Sequence, residues 1–229
     1  MAEDKPHFAL SGVVTVVVGL RNYACHRDLL EASSPFCAAK LKDCWNEGKN
    51  EIHLDDQEPA AAEIWIDWMY KNFLSRAPLS IDTETLRIGL IAKTYKLADY
   101  LIIPDLKNDL MDLIMDQHKK SRKWFTLHAL IDLWEVDESD SGLFKYVFRS
   151  SILSFMTSPK FYLTGSGELK KISTRADTTL LLKVIEGIMV WNVKSWDLPS
   201  DDKKCDYHDH SEGSSCKEWD GPRDKVNNQ

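Results

Sequence analysis

Val13-Val14-Thr15-Val16-Val17-Val18-Gly19 is the stretch that decides the fold, and Leu20-Arg21-Asn22 and Tyr23-Ala24-Cys25 follow it directly. β-Branched side chains suit a pleated surface, so the valine run reads as a buried strand. Tyr23-Ala24-Cys25 reads as a second short extended piece across a tight turn. Downstream come His26-Arg27-Asp28-Leu29-Leu30, Ser34-Pro35-Phe36 and Ala38-Ala39-Lys40-Leu41, then the strand-like Glu51-Ile52-His53-Leu54. A strand hairpin that feeds a helical hairpin and then a third strand belongs to few folds. None of these residues forms a catalytic or phosphate-binding arrangement, so the segment points to a surface that recognises proteins.

The chain has 229 residues, room for one large domain or one ordinary domain with an appendage. Its 29 Lys and Arg stand against 36 Asp and Glu, a net charge of −7. That balance argues against nucleic-acid binding, which runs on clustered cations that neutralise phosphates. Of five cysteines, Cys25, Cys37 and Cys44 sit among apolar residues, where a free thiol packs as a small hydrophobe. The opening residues are charged and lead into no apolar signal segment. The apolar runs are too short for a membrane span. These features predict a reducing compartment, cytoplasm or nucleus, with no membrane partner.

Further along, Pro59 fits the first position of a helix behind the acidic turn Asp55–Glu58. Ala61, Ile64, Trp65, Trp68 and Met69 recur on one face of it. Pro78 restricts the segment after it to an edge piece. Asp82 or Thr83 is a candidate cap for a longer helix carrying Leu86, Leu90, Thr94, Leu97 and Leu101, with Ile91 and Ala98 alongside. Pro104 starts another helix with Leu106, Leu110, Leu113 and Ile114 on one side. Helical stripes continue at Leu127, Leu130, Ile131 and Trp134, and at Leu143, Val147, Phe148, Ile152 and Phe155. Leu180 to Trp191 is apolar nearly all round, which predicts a well-buried helix. Residues 197–229 hold nine acidic and five basic residues and few large apolar ones, the composition of a disordered acidic tail.

Together the pieces resemble the BTB (POZ) domain in the divergent form common in fungi. The resemblance rests on Val13 to Gly19, His26-Arg27 with Leu30, Ser34-Pro35-Phe36, Ile52 and Leu54, Trp68 and Tyr70, and Lys96-Leu97-Ala98-Asp99-Tyr100 with Pro104 and Leu106. It implies an α+β fold, a small mixed sheet capped by helical hairpins, over residues 11–118. An α-helical extension over 119–196 and the tail over 197–229 complete the expected organisation. The chain departs from the family at Ser11-Gly12, where members often carry an acidic residue, and at Cys37, where a second aromatic is usual. The first departure bears on a surface that some transcriptional repressors of the family use.

The family works by protein–protein contact, so the resemblance implies no enzyme, no cofactor and no resident metal. Relatives that act as adaptors for cullin-type ubiquitin ligases carry an apolar residue, any residue and Glu before the third strand. Trp45-Asn46-Glu47 occupies that place, flanked by Leu41 and Lys42. An exposed aromatic would fill a pocket and the carboxylate would fix orientation. Two alternatives stand beside the adaptor: a BTB scaffold regulating transcription or complex assembly without a cullin, and a small α/β enzyme with an unrecognised site. Cys25 and His26 are a poor catalytic pair, because neighbours in an extended segment face opposite ways; the resemblance makes His26 a helix-start residue satisfied in the core. Cys205, His208, His210 and Cys216 are zinc-ligand types, but their spacing fits no common finger. Lys119-Lys120-Ser121-Arg122-Lys123 reads as cations at a helix C-terminus, with nuclear import as the alternative. Only 12 residues precede Val13, too few for the added helix and strand through which many family members dimerise. The expected state is a monomer or a weak self-associating species.

Overall fold

The computed structural model describes residues 12–42, 50–80, 86–121, 125–136, 141–157, 178–193 and 207–209. Strands β1 (Val13–Val18) and β2 (Arg21–His26) form the expected hairpin, and β3 (Glu51–His53) pairs on the other side of β1. β1 and β2 are antiparallel, with Val18 opposite Arg21; β1 and β3 are parallel, with Val16 opposite Ile52. Thr15 N–H to the Asn50 carbonyl (2.8 Å) and Leu54 N–H to the Val17 carbonyl (2.8 Å) extend the parallel ladder at both ends. The two-residue turn needs a positive φ at its first position, and Gly19 supplies it at 58°.

The valine run is not buried throughout. Val14, Val16 and Val18 are buried, whereas Val13 is exposed and Thr15 and Val17 are half-covered. The helices pack on one face of the sheet, so the period of two decides which residues enter the core.

Helices α1 (Arg27–Ser33) and α2 (Pro35–Lys40) form the first helical hairpin. Then come α3 (Pro59–Lys71), α4 (Ile88–Tyr100) and α5 (Pro104–Ser121). All five apolar residues expected on α3 are buried. Its Trp68 indole donates to the Asp109 carboxylate of α5 at 2.7 Å. Helix α4 starts later than its sequence suggested. Leu86 is held in an extended bridge with Ser80, and the Arg87 N–H bonds the Leu79 carbonyl at 2.8 Å, so helical geometry begins at Ile88. Asp82 and Thr83 lie outside the described residues. Leu86, Thr94, Leu97 and Leu101 are buried as expected, with Ile91 and Ala98 alongside; Tyr95 joins them and Leu90 is half-covered.

Helices α6 (Leu127–Trp134), α7 (Gly142–Thr157) and α8 (Thr178–Val193) follow. Helix α6 packs on α4, α7 on α6, and α8 on α7, so one hydrophobic core runs from the sheet into the extension. Helix α8 is not the buried helix its composition predicted. Leu180 is buried, but Leu182, Ile185, Met189 and Val190 are all about half exposed or more. Its partner is α7, so its far side has no cover among the described residues. Within the segment expected to be a tail, Tyr207-His208-Asp209 is docked against α5 and α7, and Tyr207 is buried.

Candidate functional site

Ser34 sets the geometry of the face beside α2. Its hydroxyl oxygen caps α2 by accepting from the Cys37 N–H at 3.1 Å, and its O–H donates to the Leu101 carbonyl at the end of α4 at 2.7 Å. The residue is fully buried, so both bonds are made away from water. They bring the start of α2 against the end of α4. Phe36 and Tyr100 meet there with ring centroids 4.9 Å apart, and the Lys40 ammonium lies 5.7 Å from the Phe36 ring.

Ile102 completes this face. Helix α4 ends with the Ile102 N–H on the Asp99 carbonyl (3.0 Å) and the Ile103 N–H on the Ala98 carbonyl (2.8 Å). This paired ending places one residue in the left-handed region, where glycine is usual. Ile102 holds that place at φ 58° and is 56% exposed. A β-branched residue there is strained, and its exposure returns little burial. Tyr100, 48% exposed, stands beside it. Folding alone does not account for an exposed aromatic next to an exposed, strained isoleucine. From the sequence, Tyr100 belongs to the family resemblance and not to the expected contact residues, and Ile102 belongs to neither. The available signal was Tyr100-Leu101-Ile102-Ile103-Pro104, a helix stop with no glycine.

Lys42 is exposed at the end of the same hairpin, where a partner can reach it. Leu41 is not: its side chain is fully buried, its N–H donates to the Cys37 carbonyl at 2.9 Å, and its carbonyl accepts from the Arg27 guanidinium. Leu41 therefore drops out as a contact residue, because its side chain belongs to the core. Trp45 and Glu47 lie outside the described residues.

The catalytic alternatives find little chemistry. Cys25 is buried and His26 exposed on opposite faces of β2. Burial pushes the thiols of Cys25 and Cys37 up to about 11, so both stay protonated and unreactive at neutral pH. His26 is not in the core as expected. Its backbone N–H and its Nδ1 both meet the Tyr70 hydroxyl, at 3.1 and 2.8 Å, which ties the start of α1 to α3 on the surface. A groove of about 400 Å³ between α7 and α8 gathers Phe144, Phe148, Arg149, Lys183, Glu186 and Val190. Lys183 stands over the rings of Trp134 and Phe144, each at 5.3 Å, with no nucleophile and base paired nearby among the described residues. Among the described residues, no group of His, Cys, Asp and Glu converges to hold a metal. Of the four tail candidates only His208 is described, and its Nε2 lies 3.4 Å from the Asp112 carboxylate. Cys205, His210 and Cys216 lie outside the described residues. Lys119 and Lys120 end α5, as a helix C-terminus favours.

The family model of the BTB/POZ domain matches residues 13–118. Residues 13–118 are a BTB/POZ domain. The chain is similar to the BTB domain of human gigaxonin, at 20% identity, over 44% of this chain and 75% of that one, with a TM-score of 0.35. It is also similar to the BTB domain of zebrafish PATZ1, at 16% identity, over 45% and 75% of the two chains, with a TM-score of 0.35. No curated protein sequence matches the chain. The BTB domain is a protein–protein interaction module, and its family is a non-enzymatic interaction fold. Among the described residues no helix is long and apolar enough to cross a membrane.

Proposed function

We propose that the chain is a non-enzymatic adaptor whose BTB domain holds a cullin-type ubiquitin-ligase scaffold through the end of the α2 hairpin. The supporting observation is the face made by the exposed Tyr100 and Ile102 with the half-buried Phe36, beside the exposed Lys40 and Lys42 of the same hairpin. In sequence, Lys42 stands three residues before Trp45. Such a patch has the composition of an interface centre, aromatic and aliphatic anchors with cations at the rim. The strained Ile102 fits a contact residue better than a packing one. The helical extension over 119–196 would support the same contact from the far side of α4. In this reading the chain is a monomer that docks a partner, with self-association weak at most.

Capture of a purified cullin-type scaffold by the full chain tests this reading. Capture should fall on Trp45→Ala and on Glu47→Ala, while circular dichroism stays unchanged. Capture untouched by both substitutions removes the assigned contact. No capture by the native chain leaves the second reading, a BTB scaffold for other proteins, which the same exposed face would serve.

A further inference from the structure

A short piece of the chain sits in the cleft between α5 and α7 as a ligand sits in a site. Tyr207 is 3% exposed and meets Tyr146 edge-on, with centroids 5.3 Å apart at 88°. Arg149 donates to its hydroxyl at 2.6 Å. Two residues later the Asp209 carboxylate pairs with Lys107. Asn108 holds the backbone of Asp209 in both directions: its Nδ2 donates to the Asp209 carbonyl at 3.1 Å, and its Oδ1 accepts from the Asp209 N–H at 2.9 Å. Bonds of that kind read the main chain and not a side chain, and the piece they hold is turned at Tyr207 and bent at His208.

The cleft is also shaped around this backbone. A methyl group at Gly142 would stand 2.2 Å from the Tyr207 carbonyl oxygen, so a side chain there excludes the segment. Lys107 is the electrostatic reason for an acidic ligand. Its ammonium lies 4.9 Å from the Tyr95 ring centroid and is 10% exposed, and the Asp99 carboxylate that also binds it, at 2.7 Å, is 70% exposed. Without Asp209 the Lys107 ammonium would face the opened cleft with the solvent-facing Asp99 as its carboxylate partner, so the emptied cleft presents a positive charge to a second carboxylate.

We propose that the α5–α7 cleft is a docking site for a short, turned peptide bearing a tyrosine followed two residues later by an aspartate. Tyr207-His208-Asp209 fills it in cis until such a peptide from a partner displaces it. The site lies on the seam between the BTB domain and its helical extension, so its occupant touches both. A partner that binds here competes with the chain's own segment.

The test uses a fluorescein-labelled peptide of residues 206–211, Asp-Tyr-His-Asp-His-Ser, titrated into the full chain by anisotropy. The Tyr207→Ala/Asp209→Ala chain should bind it. The native chain should bind it at least about tenfold more weakly, because only chains with an open cleft compete. Adding Gly142→Ala to the double variant should remove the binding, since alanine suits a helix better than glycine and blocks only the cleft. No binding to a correctly folded double variant overturns the proposal, as does binding that Gly142→Ala leaves intact. If the double variant does not fold, amide exchange decides on the native chain: excess unlabelled peptide should speed exchange at Asp209, and unchanged exchange overturns the proposal. A native dimer that Gly142→Ala dissolves would assign the segment to a second copy and overturn occupancy in cis.

Discussion

Ser34 shows how much one buried hydroxyl can carry. It caps α2 and also bonds the Leu101 carbonyl just past α4. Ser34→Ala deletes the cap and leaves the Leu101 carbonyl buried without that donor, a loss of about 1–3 kcal/mol in urea unfolding. An unchanged midpoint would show that the two bonds do not hold this face together. His118 makes a second residue-scale prediction. Burial holds its imidazole below the usual histidine range, and its Nδ1 lies 2.7 Å from the Tyr146 hydroxyl. A base whose pKa is depressed by folding contributes stability that is present above its unfolded pKa, about 6.5, and is lost as pH falls below it. The urea midpoint should therefore fall between pH 7.5 and pH 5.5, and fall less in His118→Gln. Ile102 gives a prediction of opposite sign: replacing it by glycine relieves the left-handed backbone and should raise stability by about 1 kcal/mol. Ser34-Pro35-Phe36 was legible as a motif in the sequence; the strain at Ile102 was not, since a helix ending is set by tertiary bonds that no local pattern reports.

Helix α8 illustrates what periodicity can and cannot say. Its apolar composition reads as burial, yet it packs chiefly on α7 and Leu182, Ile185, Met189 and Val190 stay exposed. Hydrophobicity states what a helix would gain from burial and not whether the fold offers a second wall. The contact it does make is close. A Cβ at Gly187 would approach the Phe148 ring to 2.9 Å. Gly187→Leu should leave α8 helical but lift it from α7, which hydrogen exchange would read as lost protection over 178–193 with residues 13–118 unchanged. Equal protection in the variant would mean that α8 is held elsewhere. The strands and α3 were legible because their apolar residues alternate or recur on one face, and burial follows that face. The start of α4 was not, because the Ser80–Leu86 bridge overrides the local capping signal.

At the scale of the whole molecule, the BTB domain and its helical extension share one core through α6 on α4. The fold class could be read from the order of strand hairpin, helical hairpin and third strand. The interaction face could be read only in part. Lys42 is exposed as expected, Leu41 belongs to the core, and Tyr100 and Ile102 join the face from sixty residues further along the chain. Such a surface is made by packing, so its members are scattered in sequence. The acidic composition of residues 197–229 likewise gave no sign that Tyr207 would find a buried place, because one aromatic among charges leaves no periodic trace.

The most direct test of a docking face at the α2–α4 edge is capture of partner proteins by the Ile102→Gly chain, scored beside its thermal midpoint. The strained, exposed isoleucine predicts a midpoint at or above that of the native chain together with loss of the captured partner. A stabilised chain that captures its partner as well as the native one would contradict it.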